Sequence, residues 1–192
     1  MSDDRGAGPG RRVLLLRAVN LGARNKVPMA RLRELLDAEG LTGVETYLQS
    51  GNVLVDDDGT PEADLAARVS ALVRAHFDVV SPCVVRSAAE LGATVEAAAT
   101  AGAPGLPEDP RLYAVVFLAA VPDPGLVATV DPDDYEEPFL VTGRDVHVAM
   151  PRGTQNARLS HAFWEKRLRV TATARNWRSV TTLADLASGS PS

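Results

Sequence analysis

A chain of 192 residues, 45% of them hydrophobic and 23% charged, has enough apolar material for one mid-sized domain or two small ones sharing an interface. Its net charge of −5 argues against indiscriminate binding to nucleic acid, which depends on many phosphate neutralisations, and leaves room only for a local basic cleft. A single cysteine, Cys83, excludes an intrachain disulfide, and no run approaches the roughly 18 apolar residues of a membrane span.

Residues 1–11 are polar and Gly-rich, lack the apolar centre of a signal peptide, and are expected to be a disordered lead-in to a cytoplasmic protein. "RVLLLRAV" at 12–19 reads as a buried strand. After the polar loop "NLGARNK", Pro28 stands at a helix start, and Met29, Leu32, Leu35 and Leu36 share one face at helical spacing. Gly40 closes that helix. A hairpin over 44–55, a helix over 61–77 with Leu65, Val69, Leu72 and Val73 inward, and a strand over 82–86 follow. "DDDGT" between hairpin and helix reads as a solvated acidic turn, and Cys83 as a small core residue. The order β-α-β-β-α-β is that of a ferredoxin-like fold.

"SAAE" at 87–90 is a capping box that opens a helix running to about Ala99. The Gly- and Pro-rich stretch 100–110 reads as a linker between a lobe at 12–99 and a second α+β lobe at 111–187, with 188–192 a tail. The second lobe has a strand at 111–119, a short helix around 123–130, a hairpin at 137–149 and a helix at 156–168 with Leu159, Phe163 and Leu168 inward. It ends in a helix at 174–187 that replaces a closing strand, with Thr173 as its cap and Arg175 and Asn176 in its first turn. An arginine there opposes the helix dipole and calls for a partner.

Isoleucine is absent and lysine scarce, the mark of a GC-rich coding background. Against it, every asparagine, lysine and glutamine falls within 20–52 or 155–176. Two clusters result. The first is Arg17, Asn20, Asn25, Lys26, Gln49, Ser50 and Asn52; strand directions bring the loop after the first strand and the turn in "TYLQSGNVLV" to one edge of the sheet. Lys26 lies just before a helix N-terminus, which favours an anion. The second contains Arg152, Asn156, Arg158, Ser160, His161, Lys166, Arg175 and Asn176. The same residue types also cap turns and tie loops together, so a binding site and a structural role both stand.

Motifs for phosphate loops, dinucleotide binding, zinc proteases, paired cysteines and nucleophile elbows are missing, and no close carboxylate pair lies in either cluster. The sequence therefore names no catalytic residue, cofactor or metal ligand. The favoured reading is a small anionic, nucleotide-like ligand, or a short nucleic-acid segment, held between the lobes by Arg17, Asn20, Asn25, Lys26, Gln49, Ser50, Asn52, Arg158, Arg175 and Asn176. Nucleic acid is the weaker version, because Tyr47 is the lone aromatic near the first cluster. The alternatives are an interaction protein that forms homo-oligomers and uses these motifs as glue between lobes, and an enzyme whose base is His161 or a ligand group.

"LLRAVNLGARNKVPMARLRELLDAEGLTGVETYLQSGNVLV" resembles the N-terminal signature of the bacterial family called domain of unknown function 1697, and "ARLSHAFWEKRLRVTATARNWRSVTTLADL" is similar to its C-terminal one. The family pattern carries glycine at the positions of Ala18 and Ala23, and often asparagine at His161 and threonine at Ala174. The resemblance implies a two-part α+β fold of ferredoxin-like character, makes the polar clusters family features, and implies no activity.

Overall fold

The computed structural model describes residues 10–22 and 24–189. Of the lead-in expected over residues 1–11, residues 1–9 lie outside them, as do the last three residues of the tail; Arg11 already belongs to the first strand. The first half runs β1 (Arg11–Leu16), α1 (Met29–Ala38), β2 (Glu45–Tyr47), β3 (Asn52–Asp56), α2 (Glu62–Phe77), β4 (Cys83–Ser87) and α3 (Ala88–Ala97). The second runs β5 (Tyr113–Leu118), α4 (Pro124–Val127), β6 (Phe139–Thr142), β7 (Asp145–Ala149), α5 (His161–Leu168), β8 (Ala172–Asn176) and α6 (Trp177–Ser188). The protein is mixed α+β, with two four-stranded antiparallel sheets in the orders β2-β3-β1-β4 and β6-β7-β5-β8. Each half thus repeats one arrangement of strands and helices.

Alternation along β1 and β5 builds the layers, because successive side chains of a strand point to opposite faces. Leu14 and Leu16 face α1 and α2, where Met29, Leu32, Leu35, Leu36, Leu65, Val69, Leu72 and Val73 are all buried. Val13 and Leu15 face a central core shared with Tyr113, Val115 and Phe117 of β5. Leu91 of α3 and Val180, Leu183 and Ala187 of α6 close that core. Ala114, Val116 and Leu118 face a third core containing Trp164, Leu159 and Leu168. The two sheets therefore share the central layer, and residues at its margins bridge both halves.

Three local expectations need correction. The chain after α5 forms β8 before any helix, so Arg175 lies in a strand and opposes no dipole. Ala172 and Ala174 pack on the third core while Thr173 and Arg175 point to the other face; with alanine as the inward residue, this period of two is nearly silent in hydrophobicity. Asn176, not Thr173, caps α6, its Oδ1 accepting from the Ser179 N–H at 2.9 Å. Finally, α5 starts at His161 behind the cap Ser160, five residues later than expected, and Trp164 rather than Phe163 is its fully buried ring.

Candidate ligand site at the junction of the halves

The loop after β1 meets the β2–β3 turn, as the strand directions require. The Leu16 N–H donates to the Gly51 carbonyl at 2.8 Å. Asn20 fastens the two segments: its Nδ2 donates to the carbonyls of Gln49 and Val27, each at 2.8 Å, and its Oδ1 accepts from the Val27 N–H at 2.8 Å. Asn25 donates to the Ala18 carbonyl at 2.8 Å. Ala18, Asn20 and Asn25 have φ of 55°, 54° and 51°. Asparagine tolerates this left-handed region because its amide bonds locally; alanine does so at a cost.

Gly51 answers why the turn needs glycine. Its φ is 77°, and a Cβ there would stand 2.5 Å from Val19 Cγ2 and 2.8 Å from Leu16 Cβ. The glycine lets the turn lie against the end of β1, which places Asn52 in the interior at 0% exposure. Asn52 donates from Nδ2 to the Tyr47 carbonyl and to Ser50 Oγ, both at 3.0 Å. Its Oδ1 accepts from Arg175 Nε across the junction.

Arg175 is 7% exposed. Its Nη1 donates to Thr173 Oγ1 at 2.9 Å and the Ala174 carbonyl at 2.8 Å; its Nη2 donates to the carbonyls of Leu16 at 2.9 Å and Gly51 at 3.3 Å. No carboxylate among the described residues pairs with it. Burial depresses its pKa to about 10, so it stays charged at neutral pH. Beside it, Arg17 pairs with Glu165 of α5 at 2.6 Å, and its Nε is buried without a partner. His161 is held below the usual histidine range by burial first, then by the Arg17 cation. The two clusters read from the sequence therefore meet, through Asn52–Arg175 and Arg17–Glu165.

Other candidates fall differently. Lys26, Gln49 and Ser50 are exposed on this edge. Asn176 spends its side-chain oxygen on the α6 cap. Arg158 sits apart, its guanidinium 4.9 Å from the Tyr135 ring centre and its Nη1 on the Asp134 carbonyl at 3.1 Å. Cys83 is buried and its thiol is pushed up to about 12, which leaves it unreactive. His147 is buried against the Tyr113 hydroxyl at 3.0 Å, away from the loops.

Sequence reasoning missed a second junction. Arg86 of β4 donates from Nη2 to Asp145 Oδ1 at 2.9 Å and to the carbonyls of Leu118 and Arg144, each at 2.8 Å. Thr94 Oγ1 donates to Asp145 Oδ2 at 2.5 Å. Arg144 pairs with Glu62 at 2.7 Å and also with Glu90, the capping residue of α3. A cleft of about 280 Å³ lies over these groups. The available signal was a charged residue at the end of an apolar strand directly before a helix cap, in "CVVRS" as in "ATARN".

Among the described residues no helix is long and apolar enough to cross a membrane. No curated protein matches the sequence. The fold is similar to that of a conserved bacterial protein from Streptococcus pneumoniae, at 21% identity and a TM-score of 0.68, over 93% of this chain and 98% of that one. The family described as protein of unknown function (DUF1697) matches residues 10–147, well over half of the sequence, and the chain belongs to that family.

Proposed function

We propose that this protein is a cytoplasmic binder of a small anionic, nucleotide-like ligand, taken at the junction edge formed by Arg17, Lys26, Gln49 and Ser50 over Arg175. We also read each half as a ferredoxin-like lobe, 12–99 and 111–187, a reading supported by the sheet order. One observation carries the ligand assignment. Of two buried arginines in equivalent positions, Arg86 has the carboxylate of Asp145, whereas Arg175 faces the neutral amide of Asn52. A buried cation without a counter-charge favours an anion supplied from outside. Arg175 spends its donors on carbonyls and side-chain oxygens, so it acts through its field. The direct contacts fall to Arg17 and Lys26, with Gln49 and Ser50 adding neutral donors.

A thermal-shift titration with inorganic phosphate, pyrophosphate and ATP tests this. At 100 times its dissociation constant a ligand adds about 2.7 kcal/mol of stability, or about 2–4 °C at this size. Arg17→Ala and Lys26→Ala should each remove the shift, and Arg158→Ala should leave it. A shift that survives both junction variants, or none at all with the three anions, sinks the assignment.

The second reading is an interaction protein whose polar motifs are glue. Asn20, Asn25 and Asn52 support it, since their amides bond within the fold. Leu21 at 60%, Leu48 at 55% and Val80 at 74% exposure give the same edge an apolar surface for a second copy or another protein. Native mass spectrometry showing a dimer that dissociates on Leu48→Asp would favour it. A short nucleic-acid strand fits this edge less well, because its exposed tips are aliphatic.

A further inference from the structure

We infer a second binding groove, between α4 and α5, that takes an anion carrying a planar apolar ring, of which a nucleoside monophosphate is the simplest form. The groove encloses about 510 Å³ and is lined by Leu126, Thr129, Phe163, Lys166, Arg167 and Arg169. That size is ordinary for a small-molecule site. Leu126 and the half-buried Phe163 give an apolar wall, while Lys166, Arg167 and Arg169 stand exposed. Three cations and no acid line one concavity in a chain whose net charge is −5.

The helix dipole accounts for Lys166 and Arg167 in the last turn of α5. It does not require Arg169 beyond that turn. In the first half, α2 ends in an acid at the same point, Asp78, so the fold does not impose the basic trio. Two of the recognising groups, Phe163 and Arg167, are also held in place. The Phe163 ring packs edge-on against Tyr135 at 5.4 Å and Trp164 at 5.2 Å. Arg167 Nη2 is anchored on the Thr129 carbonyl. A fixed aromatic wall beside one anchored and two exposed cations suits a stacked ring with a pendant phosphate.

The groove is separate from the junction. At 100° per residue, His161 and Glu165 lie on one side of α5, and Phe163, Lys166 and Arg167 on the other.

The test is an amide NMR titration of the full chain with AMP, and separately with adenosine and inorganic phosphate. Saturable AMP shifts are expected at Leu126, Thr129, Phe163, Lys166, Arg167 and Arg169, with adenosine and phosphate each at least about tenfold weaker, the loss of one polar anchor or one stacking contact. Lys166→Glu with Arg169→Glu should weaken AMP by at least about tenfold with an unchanged melting temperature. Phe163→Leu should weaken AMP and adenosine but not phosphate. No AMP shifts here, or shifts indifferent to all three substitutions, overturn the groove. Shifts confined to Arg17, Lys26 and Ser50 also overturn it while supporting the junction site. Binding of a single-stranded oligonucleotide in place of AMP overturns the small-molecule assignment.

Discussion

Arg86 and Arg175 occupy the same position in the two sheets, and each reaches across into the other half. Arg86 pairs in register with Val13 of β1, and Arg175 with Val115 of β5. Each donates to the carbonyl at the end of the opposite central strand, Leu118 or Leu16, and to the carbonyl before a hairpin's second strand, Arg144 or Gly51. Each then meets the first residue of that strand, Asp145 or Asn52. The halves are cross-braced twice, once by an ion pair and once by a cation on a neutral amide.

The two braces should fail differently. Arg86→Met leaves Asp145 buried and unpaired, and should cost about 3–5 kcal/mol in urea unfolding. Adding Asp145→Asn should restore more than about 1 kcal/mol, seen as coupling in a double-mutant cycle. Arg175→Met leaves no charge behind, only unsatisfied carbonyls, and should cost about 2–3 kcal/mol. Equal losses for both arginines, with no coupling at Asp145, would contradict this account.

Gly51→Ala should be among the most damaging single-methyl changes. The added Cβ meets Val19 and Leu16 at under 3 Å, in a left-handed conformation. Strain of about 1–2 kcal/mol and overpacking of about 1–3 kcal/mol add. Loss of the Asn52–Arg175 bond should follow, visible as faster hydrogen exchange at the ends of β1 and β3. Wild-type exchange there would refute it.

Ala18 and Leu48 should show the reverse. Both are non-glycine residues with left-handed φ, 55° and 58°, and Leu48 is 55% exposed. Ala18→Gly and Leu48→Gly should each raise stability by about 0.5–1 kcal/mol, strain relief outweighing the unfolded-state entropy of glycine. The glycine that the family pattern carries at Ala18 agrees. A fall in midpoint for both would show that neither position is strained.

Mild acid should weaken the fold. His147 is held below the usual histidine range by burial, partly offset by Asp145, and His161 is lowered too. The unfolded chain takes up protons as pH falls through about 6.5 while the native state resists. The stability is therefore present above that pH and lost below it. His147→Leu, which places at this site the residue that β3 has at Leu54, should flatten the loss between about pH 7 and 5. A slope unchanged by both His147→Leu and His161→Ala would count against it.

How much of this could be read beforehand depended on distance along the chain. The faces of α1 and α2, the capping box at Ser87 and Glu90, and the meeting of the loop after β1 with the β2–β3 turn followed from periodicity, caps and strand direction. Strand β8 did not, because its inward residues are alanines and its outward ones polar. Arg86 carries no such local mark: a charge in "CVVR" is legible only when its acceptors, over 30 residues away in Leu118, Arg144 and Asp145, are known.

The α+β class, the family, most of the apolar faces and the polar residues that gather at one edge are all legible along the chain. These rest on local patterns that secondary structure imposes wherever it forms. That Asn20, Asn25 and Asn52 spend their amides on the fold, that Arg175 is buried with no carboxylate partner among the described residues, and that Arg86 mirrors it, follows from the packing of the two halves. Burial and pairing are properties of two surfaces brought together, and neither half of the chain encodes the other's contribution.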